Sequence, residues 1–229
     1  IEVDEDDLAL VANGNRIRFI YAPDHSAIDY QEYGIKNAIL IDNTGVWSDE
    51  AGLGQHLSST GIAKVLLTAP AKGDIPNIVF GVNDSAIGEQ DIVSAASCTT
   101  NAATPVLKVL DQSYGIEQGH IETVHSYTND QNLIDNFHKS DRRGRSAALN
   151  MVITSTGAAK AVAKAYPPLG GKLTGNAIRV PTPNVSLAIL NLTLHQESTV
   201  EAINETLEQA SISAAHQKQI GNNHRKALA

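Results

Sequence analysis

Apolar residues change rhythm partway along the chain. Ahead of Cys98 they come as short clusters, Leu8-Ala9-Leu10-Val11, Ile17-Arg18-Phe19-Ile20-Tyr21, Ala38-Ile39-Leu40-Ile41, Val65-Leu66-Leu67-Thr68 and Ile92-Val93, separated by turn-forming residues. Short apolar runs with such boundaries predict strands, the 38–41 and 65–68 runs being of the fully buried type. The first two clusters flank Asn13-Gly14, a dipeptide at ease with positive φ, which predicts a β-hairpin. Ser48-Asp49-Glu50 opens a helical stretch that Gly61 can close. Strand, helix, strand at this spacing is the pattern of a βαβ unit and a parallel sheet, with Ile78-Val79-Phe80 and Ile92-Val93 as further candidate strands.

Beyond Cys98 the pattern lengthens. Ala103, Val106, Leu107 and Leu110 recur at helical spacing, and 119–128, 172–180 and 185–195 alternate as long strands. The fold class is therefore α/β: a parallel-sheet unit over 1–97, then an α+β unit over 98–229 with a mixed or antiparallel sheet. Residues 129–146 carry little periodicity and hold a basic cluster, His138-Lys139-Ser140-Asp141-Arg142-Arg143-Gly144-Arg145; a long loop in a compact domain is usually functional or disordered. The polar stretch 216–229 predicts no element.

Composition narrows the functions. The 17 basic and 25 acidic residues give a formal charge of −8, which opposes general attraction to nucleic acid or to an anionic membrane. An anionic ligand must be caught locally. The single cysteine, Cys98, excludes an intrachain disulfide and fits a reducing compartment, so the cytoplasm is expected. No apolar run approaches the ~18 residues of a membrane span. The start, Ile1-Glu2-Val3-Asp4, is neither an initiator methionine nor a signal peptide, and the expectation is that the chain begins mid-protein.

Pro105 is tolerated in the first turn of a helix, which predicts that the helix after Cys98 begins within a few residues of the proline. Cys98 then sits at a helix N-terminus, where the dipole and free N–H groups favour a thiolate nucleophile. A lone cysteine is more often packing than catalyst. A thiol nucleophile also needs a base, and eight histidines leave the choice open. His125 shares a strand face with Thr123 and Tyr127, although strand histidines are usually only half-buried polar residues. Thr154-Ser155-Thr156-Gly157 ahead of a helical Ala158–Val162 stretch can cradle an anion or simply cap the helix. The basic loop is as readily a solvated face as an anion site. No Gly-x-Gly-x-x-Gly follows a strand. Taken alone, these residues name no substrate.

Ser97-Cys98-Thr99-Thr100-Asn101 resembles the active-site signature of phosphorylating glyceraldehyde-3-phosphate dehydrogenases. Further segments agree in order: Asp42-Asn43-Thr44-Gly45, Thr68-Ala69-Pro70-Ala71-Lys72-Gly73, His125-Ser126-Tyr127-Thr128-Asn129-Asp130-Gln131, Ser155-Thr156-Gly157-Ala158-Ala159-Lys160-Ala161 and Arg179-Val180-Pro181-Thr182-Pro183. Asn132–Asn136 and Arg142-Arg143-Gly144-Arg145 resemble the longer bacterial branch, and the likeness weakens after about Ser211.

The resemblance implies that 1–97 is part of an NAD-binding domain of Rossmann type and 98–229 part of a catalytic domain, with 129–146 as the family's S-loop. It implies Cys98 as nucleophile and His125 as base. Thr128 and Arg179 would hold the substrate phosphate. Ser97, Thr99, Thr156, Gly157 and Arg143, with Arg142 as alternative, would surround the thiol and the attacking phosphate. Thr44, Gly45 and Thr68 would line the NAD site; a homotetramer is implied and a metal is not. The glycine-rich pyrophosphate turn and the family's Trp-Tyr-Asp-Asn strand are absent, so the chain resembles a member truncated at both ends. Three other readings compete: the sister erythrose-4-phosphate dehydrogenase, an inactive remnant acting as a thiol redox or interaction module, and a cysteine hydrolase, in which two anion sites have no task.

Overall fold

The computed structural model describes residues 1–221 apart from 141, 214 and 217. It opens with an antiparallel meander, β1 (Glu2–Asp4), β2 (Ala9–Ala12) and β3 (Asn15–Arg18). Asn13 and Gly14 adopt φ of 50° and 78°, so both central residues of the hairpin turn are left-handed, the geometry that matches strand twist. The return strand starts directly at Asn15, ahead of the predicted Ile17, and ends at Arg18; Phe19–Tyr21 is not part of it.

The parallel sheet follows, with β4 (Ala38–Asp42), β5 (Ile62–Leu67) and β6 (Ile92–Ser94) in sequential order. Helix α1 (Glu50–Leu57) crosses between β4 and β5; the Asp49 side chain caps it by accepting from the Gly52 N–H, and it stops at Leu57, before the predicted Gly61. Leu53 packs on Val65, Leu67, Ile75 and Ile92 to form one core. The expectation that β4 is buried on both faces is overturned. Ile39 and Ile41 are 64% and 59% exposed, because α1 covers the face opposite theirs. Ile78–Phe80 forms no strand either. Asn77 makes a single bridge to Ser94, and the Asn83 amide oxygen then accepts from the Val79 N–H, folding the segment into a turn where a ladder would have continued.

Helix α2 (Cys98–Tyr114) leads into the second half, where β7 (Ile116–Ser126), β8 (Val152–Thr154), α3 (Ala158–Ala165), β9 (Leu173–Val180), β10 (Leu187–Leu194) and α4 (Val200–Ile212) follow. The sheet runs β10-β7-β9-β8, with β7 and β9 parallel and both outer pairs antiparallel, hence mixed. Its core joins Leu107 and Leu110 of α2 to Ile116 and Ile121 of β7, Val162 of α3 and Leu169. The chain is thus α/β, a partial Rossmann-type parallel sheet followed by an α+β unit. Among the described residues no helix is long and apolar enough to cross a membrane.

Pro105 lies well inside α2, contrary to the first-turn expectation. It leaves the Asn101 carbonyl without its helical donor. Side chains hold the turns ahead of it: the Ser97 oxygen accepts from the Thr100 N–H (3.1 Å) and the Thr104 hydroxyl donates to the Thr100 carbonyl (2.6 Å). Strand β8 and helix α4 have no counterpart in the predicted elements. Helix α4 is capped by the Thr199 hydroxyl, which accepts from the Ala202 N–H, with Glu201 in its first turn. The described part of 129–146 is irregular, while 222–229, most of the polar stretch expected to lack an element, lies outside the described residues.

Candidate active site

The site grows from the junction of β6 and α2. Ala96 takes φ 58°, a left-handed conformation that costs a residue with a β-carbon roughly 1–2 kcal/mol. The neighbours over-determine it. The Ala95 N–H donates to Leu67 O (2.9 Å), the Ala96 N–H donates to the Ser94 hydroxyl (3.0 Å), and Asn101 Nδ2 donates to Ala95 O (2.7 Å). Ser97 is the N-cap, so Cys98 is the first residue of α2 and stands exposed at the positive end of its dipole. Thr99 Oγ1 lies 4.0 Å from its sulfur.

His125 reaches the same point from β7, its Nε2 3.5 Å from Cys98 Sγ. The parallel register of β7 and β9 sets His125 beside Arg179, so both side chains leave one face of the sheet together. Arg179 donates through one nitrogen to His125 Nδ1 (2.7 Å) and to Ser126 O (3.0 Å), while Nδ1 itself lies 2.7 Å from Ser126 O. A guanidinium only donates. Nδ1 cannot serve both neighbours: the Ser126 carbonyl only accepts, so Nδ1 bonded to it carries the proton and leaves Nε2 free to take one from sulfur.

Arg143 arrives from the 129–146 loop. It is paired with Asp130, and its Nε donates to Thr154 Oγ1 (3.2 Å). Burial, then the charge of Arg143, pull the Arg179 guanidinium below its ordinary value, with Cys98 acting in the opposite sense. Two guanidinium groups near a thiol, one half-buried and the other paired with Asp130, set up a field that favours an anion. Arg142 lines a hollow with Ser140, Ile153, Thr154 and Ser155.

The remaining predicted residues take three kinds of position. Ser97 and Thr156 give their side-chain oxygens to backbone N–H groups, of Thr100 and Ala158, and Gly157 caps α3 with open space around it. Thr128 lines a cleft of about 510 Å³ with Gly45 and Thr68, which joins the C-terminal ends of β4 and β5 to the segment after β7. The Thr44 hydroxyl turns away to donate to Asp42 Oδ1 (2.8 Å). Sequence reasoning missed Asp42, Asp130 and Thr154 as partners of these groups. Asp42 and Asp130 sit inside the quoted motifs, which was the available signal.

The Gly144 backbone passes so close to Asn136 that an added β-carbon would collide with the Asn136 carbonyl oxygen. Gly144→Ala is therefore expected to displace the loop carrying Arg143 and to destabilise the fold by about 1–3 kcal/mol. Equilibrium denaturation checks this, and an unchanged midpoint would show that the loop shifts without cost.

Residues 97–226 match the family model described as glyceraldehyde 3-phosphate dehydrogenase, C-terminal domain. The chain belongs to the glyceraldehyde 3-phosphate dehydrogenase family. The match passes the point near Ser211 where the likeness was expected to fade. A glyceraldehyde-3-phosphate dehydrogenase-like protein of Pseudomonas aeruginosa is 65% identical over 221 residues, covering 96% of this chain and 48% of the relative. The chloroplastic dehydrogenase A of Zea mays is 47% identical over 206 residues (90% and 50%), and dehydrogenase 1 of Bacillus subtilis 44% over 212 (92% and 62%). The chain spans about half the length of the first two of these relatives. For this glyceraldehyde 3-phosphate dehydrogenase relative, the thiol, imidazole and paired arginines thus sit inside the segment that the family shares.

Proposed function

We propose that the protein of which this chain is part is an NAD-dependent, phosphorylating glyceraldehyde-3-phosphate dehydrogenase, forming 1,3-bisphosphoglycerate through a thioester on Cys98. The observation that carries this reading is the 3.5 Å approach of Cys98 Sγ and His125 Nε2 at a helix N-terminus flanked by two arginines.

His125 takes the thiol proton, the sulfur adds to the aldehyde carbon as the C=O π bond opens onto oxygen, and the Nε2–H group returns its proton to that oxygen to give the hemithioacetal hydroxyl. Thr128 and Arg179 hold the substrate's phosphate. The imidazole then withdraws the hydroxyl proton of the hemithioacetal as the carbon is oxidised. Inorganic phosphate, held by Arg143 with Thr156 and Gly157, attacks the thioester; the C–S bond breaks and the thiolate leaves. Arginine suits both anions, since its planar fork donates two parallel bonds.

The cleft fits the cofactor. Gly45 lies on its wall at φ +75°, and a β-carbon there would meet only open space; Thr68 stands exposed beside it. NAD, when bound, supplies the acceptor for the aldehyde's hydride. Residues 1–97 are then the cofactor half and 98–229 the catalytic half of a cytoplasmic homotetramer.

Absorbance of NADH with aldehyde, NAD and phosphate tests the proposal; turnover that ignores phosphate would overturn the phosphorylating step, and faster turnover of erythrose 4-phosphate would move the reading to the sister enzyme. Arg179→Leu removes a charge-assisted contact of the order of 1.5–3 kcal/mol, so the KM for the phosphorylated aldehyde should rise about 10- to 100-fold. An equal penalty on unphosphorylated glyceraldehyde would remove Arg179 from phosphate binding.

A further inference from the structure

Beneath the turn that carries Gly45 lies a closed group of rings and one carboxylate that the chemistry at Cys98 does not use. Asp42, at the end of β4, is 1% exposed. Its Oδ1 accepts from the Thr44 N–H and the Thr44 hydroxyl, each at 2.8 Å. Its backbone carbonyl accepts from the Thr68 N–H (3.0 Å) and hydroxyl (3.1 Å). One residue thereby shapes both walls of the cleft. Its remaining oxygen, Oδ2, lies 3.1 Å from Nε2 of His56, which α1 brings in from the side.

Burial disfavours ionisation of the Asp42 carboxyl, but the bonds from Thr44 and from His56 outweigh it and hold the group below its ordinary range. An ionised carboxylate only accepts. Nε2 of His56 therefore carries a proton and donates it, while Nδ1 is buried without a partner among the described residues. The ring cannot turn away. His56 is 4% exposed, with Trp47 edge-on at 5.2 Å between centroids and His25 at 4.5 Å. Trp47 is in turn pressed against Gly52 of α1, where a β-carbon would collide with its ring. An apolar side chain could fill the same space but would leave Oδ2 bare, at the cost of an unsatisfied buried acceptor.

We infer that His56 is a positioning residue for the cofactor: by holding Oδ2 of Asp42 it fixes the Thr44–Gly45 turn in the shape on which the nicotinamide nucleotide docks. The inference rests on the reading of Gly45 and Thr68 as the cofactor's wall. It separates His56 from the catalytic residues, since it touches neither sulfur nor substrate and acts through Asp42. Trp47 adjoins both the turn and the His56 ring, so its emission senses docking.

The test is NAD binding to the purified protein, followed by Trp47 emission, with Trp47→Phe subtracted to isolate that signal, and by calorimetry. His56→Leu should raise the Kd for NAD about tenfold and shrink the NAD-induced emission change. His56→Gln, whose amide N–H still reaches toward Oδ2, should stay within about threefold of the parent. Asp42→Asn should weaken binding too, and adding His56→Leu to it should weaken it no further, because both act through one contact. A parent-like Kd in His56→Leu would overturn the inference, as would His56→Gln failing as badly as His56→Leu, which marks packing alone. Gly45→Val distinguishes the underlying reading. If it leaves NAD binding intact, the turn is not the cofactor's wall and both fall; if it abolishes binding while His56→Leu does not, only the role of His56 falls.

Discussion

Cys98→Ser is expected to lower NADH formation roughly 10⁴-fold or more, because a serine hydroxyl at the head of α2 keeps its proton where a thiol gives it to His125. The substitution is nearly isosteric, and Ser97 keeps its cap on Thr100, so the helix should remain in place. Affinity for NAD should therefore stay within about threefold, since the cleft wall at Gly45 and Thr68 belongs to other elements. Single-turnover kinetics with mass spectrometry of the acylated chain decides the matter. Retention of a tenth of parent activity, or an acyl group found on another residue, would take Cys98 out of the reaction.

The second large effect is His125→Asn. General-base catalysis contributes about 10²–10⁴-fold, and asparagine at the end of β7 can neither take the thiol proton nor return it. The loss should fall on acylation, observed as the disappearance of a pre-steady-state burst of NADH. Iodoacetamide should also alkylate Cys98 more slowly at neutral pH, because Nε2 no longer stands 3.5 Å from sulfur. A variant that keeps the burst would assign the base to another group. Arg179 complicates one expectation, since it loses its neighbour at Nδ1 in the same variant. Combining His125→Asn with Arg179→Leu should give less than the sum of the two losses.

The parts of the fold written locally were legible. Asn13-Gly14 specifies its own turn, and the long alternating runs fall on β7, β9 and β10. Cys98 at a helix start was also correctly foreseen, although for a faulty reason: Pro105 does not mark the first turn, because hydroxyl and amide side chains at Ser97, Asn101 and Thr104 sustain the helix ahead of it. Ile78–Phe80 shows the converse. Its apolar pattern is that of a strand, but the Asn83 side chain takes the Val79 N–H and the Asn77 carbonyl that a ladder would need.

What the residues alone could not reveal is anything set by pairing between distant segments. His125 and Arg179 meet only because β7 and β9 align in one register, and Arg143 approaches Arg179 only through the course of an irregular loop. The motifs of the resemblance named these residues, and the geometry supplies a reason for their company. Helix α4 went unseen because its start rests on a single threonine cap and its buried side is narrow, Ala210 being its one fully buried residue.

The thiol stands where the two cores meet. Leu67 and Ile92 belong to one, Leu107 and Ile121 to the other, and Ala96, Val79 and Ala165 form the small cluster between them. Lys164 ties α3 across to the carbonyl of Gly73 (3.0 Å) and Lys108 ties α2 to that of Gly81 (3.1 Å). Sub-global opening draws on the least stable contacts first. On warming, a small rotation at this seam would part Cys98 and His125 from the cleft wall before either sheet lost its hydrogen bonds, so enzymatic inactivation should precede the melting of secondary structure.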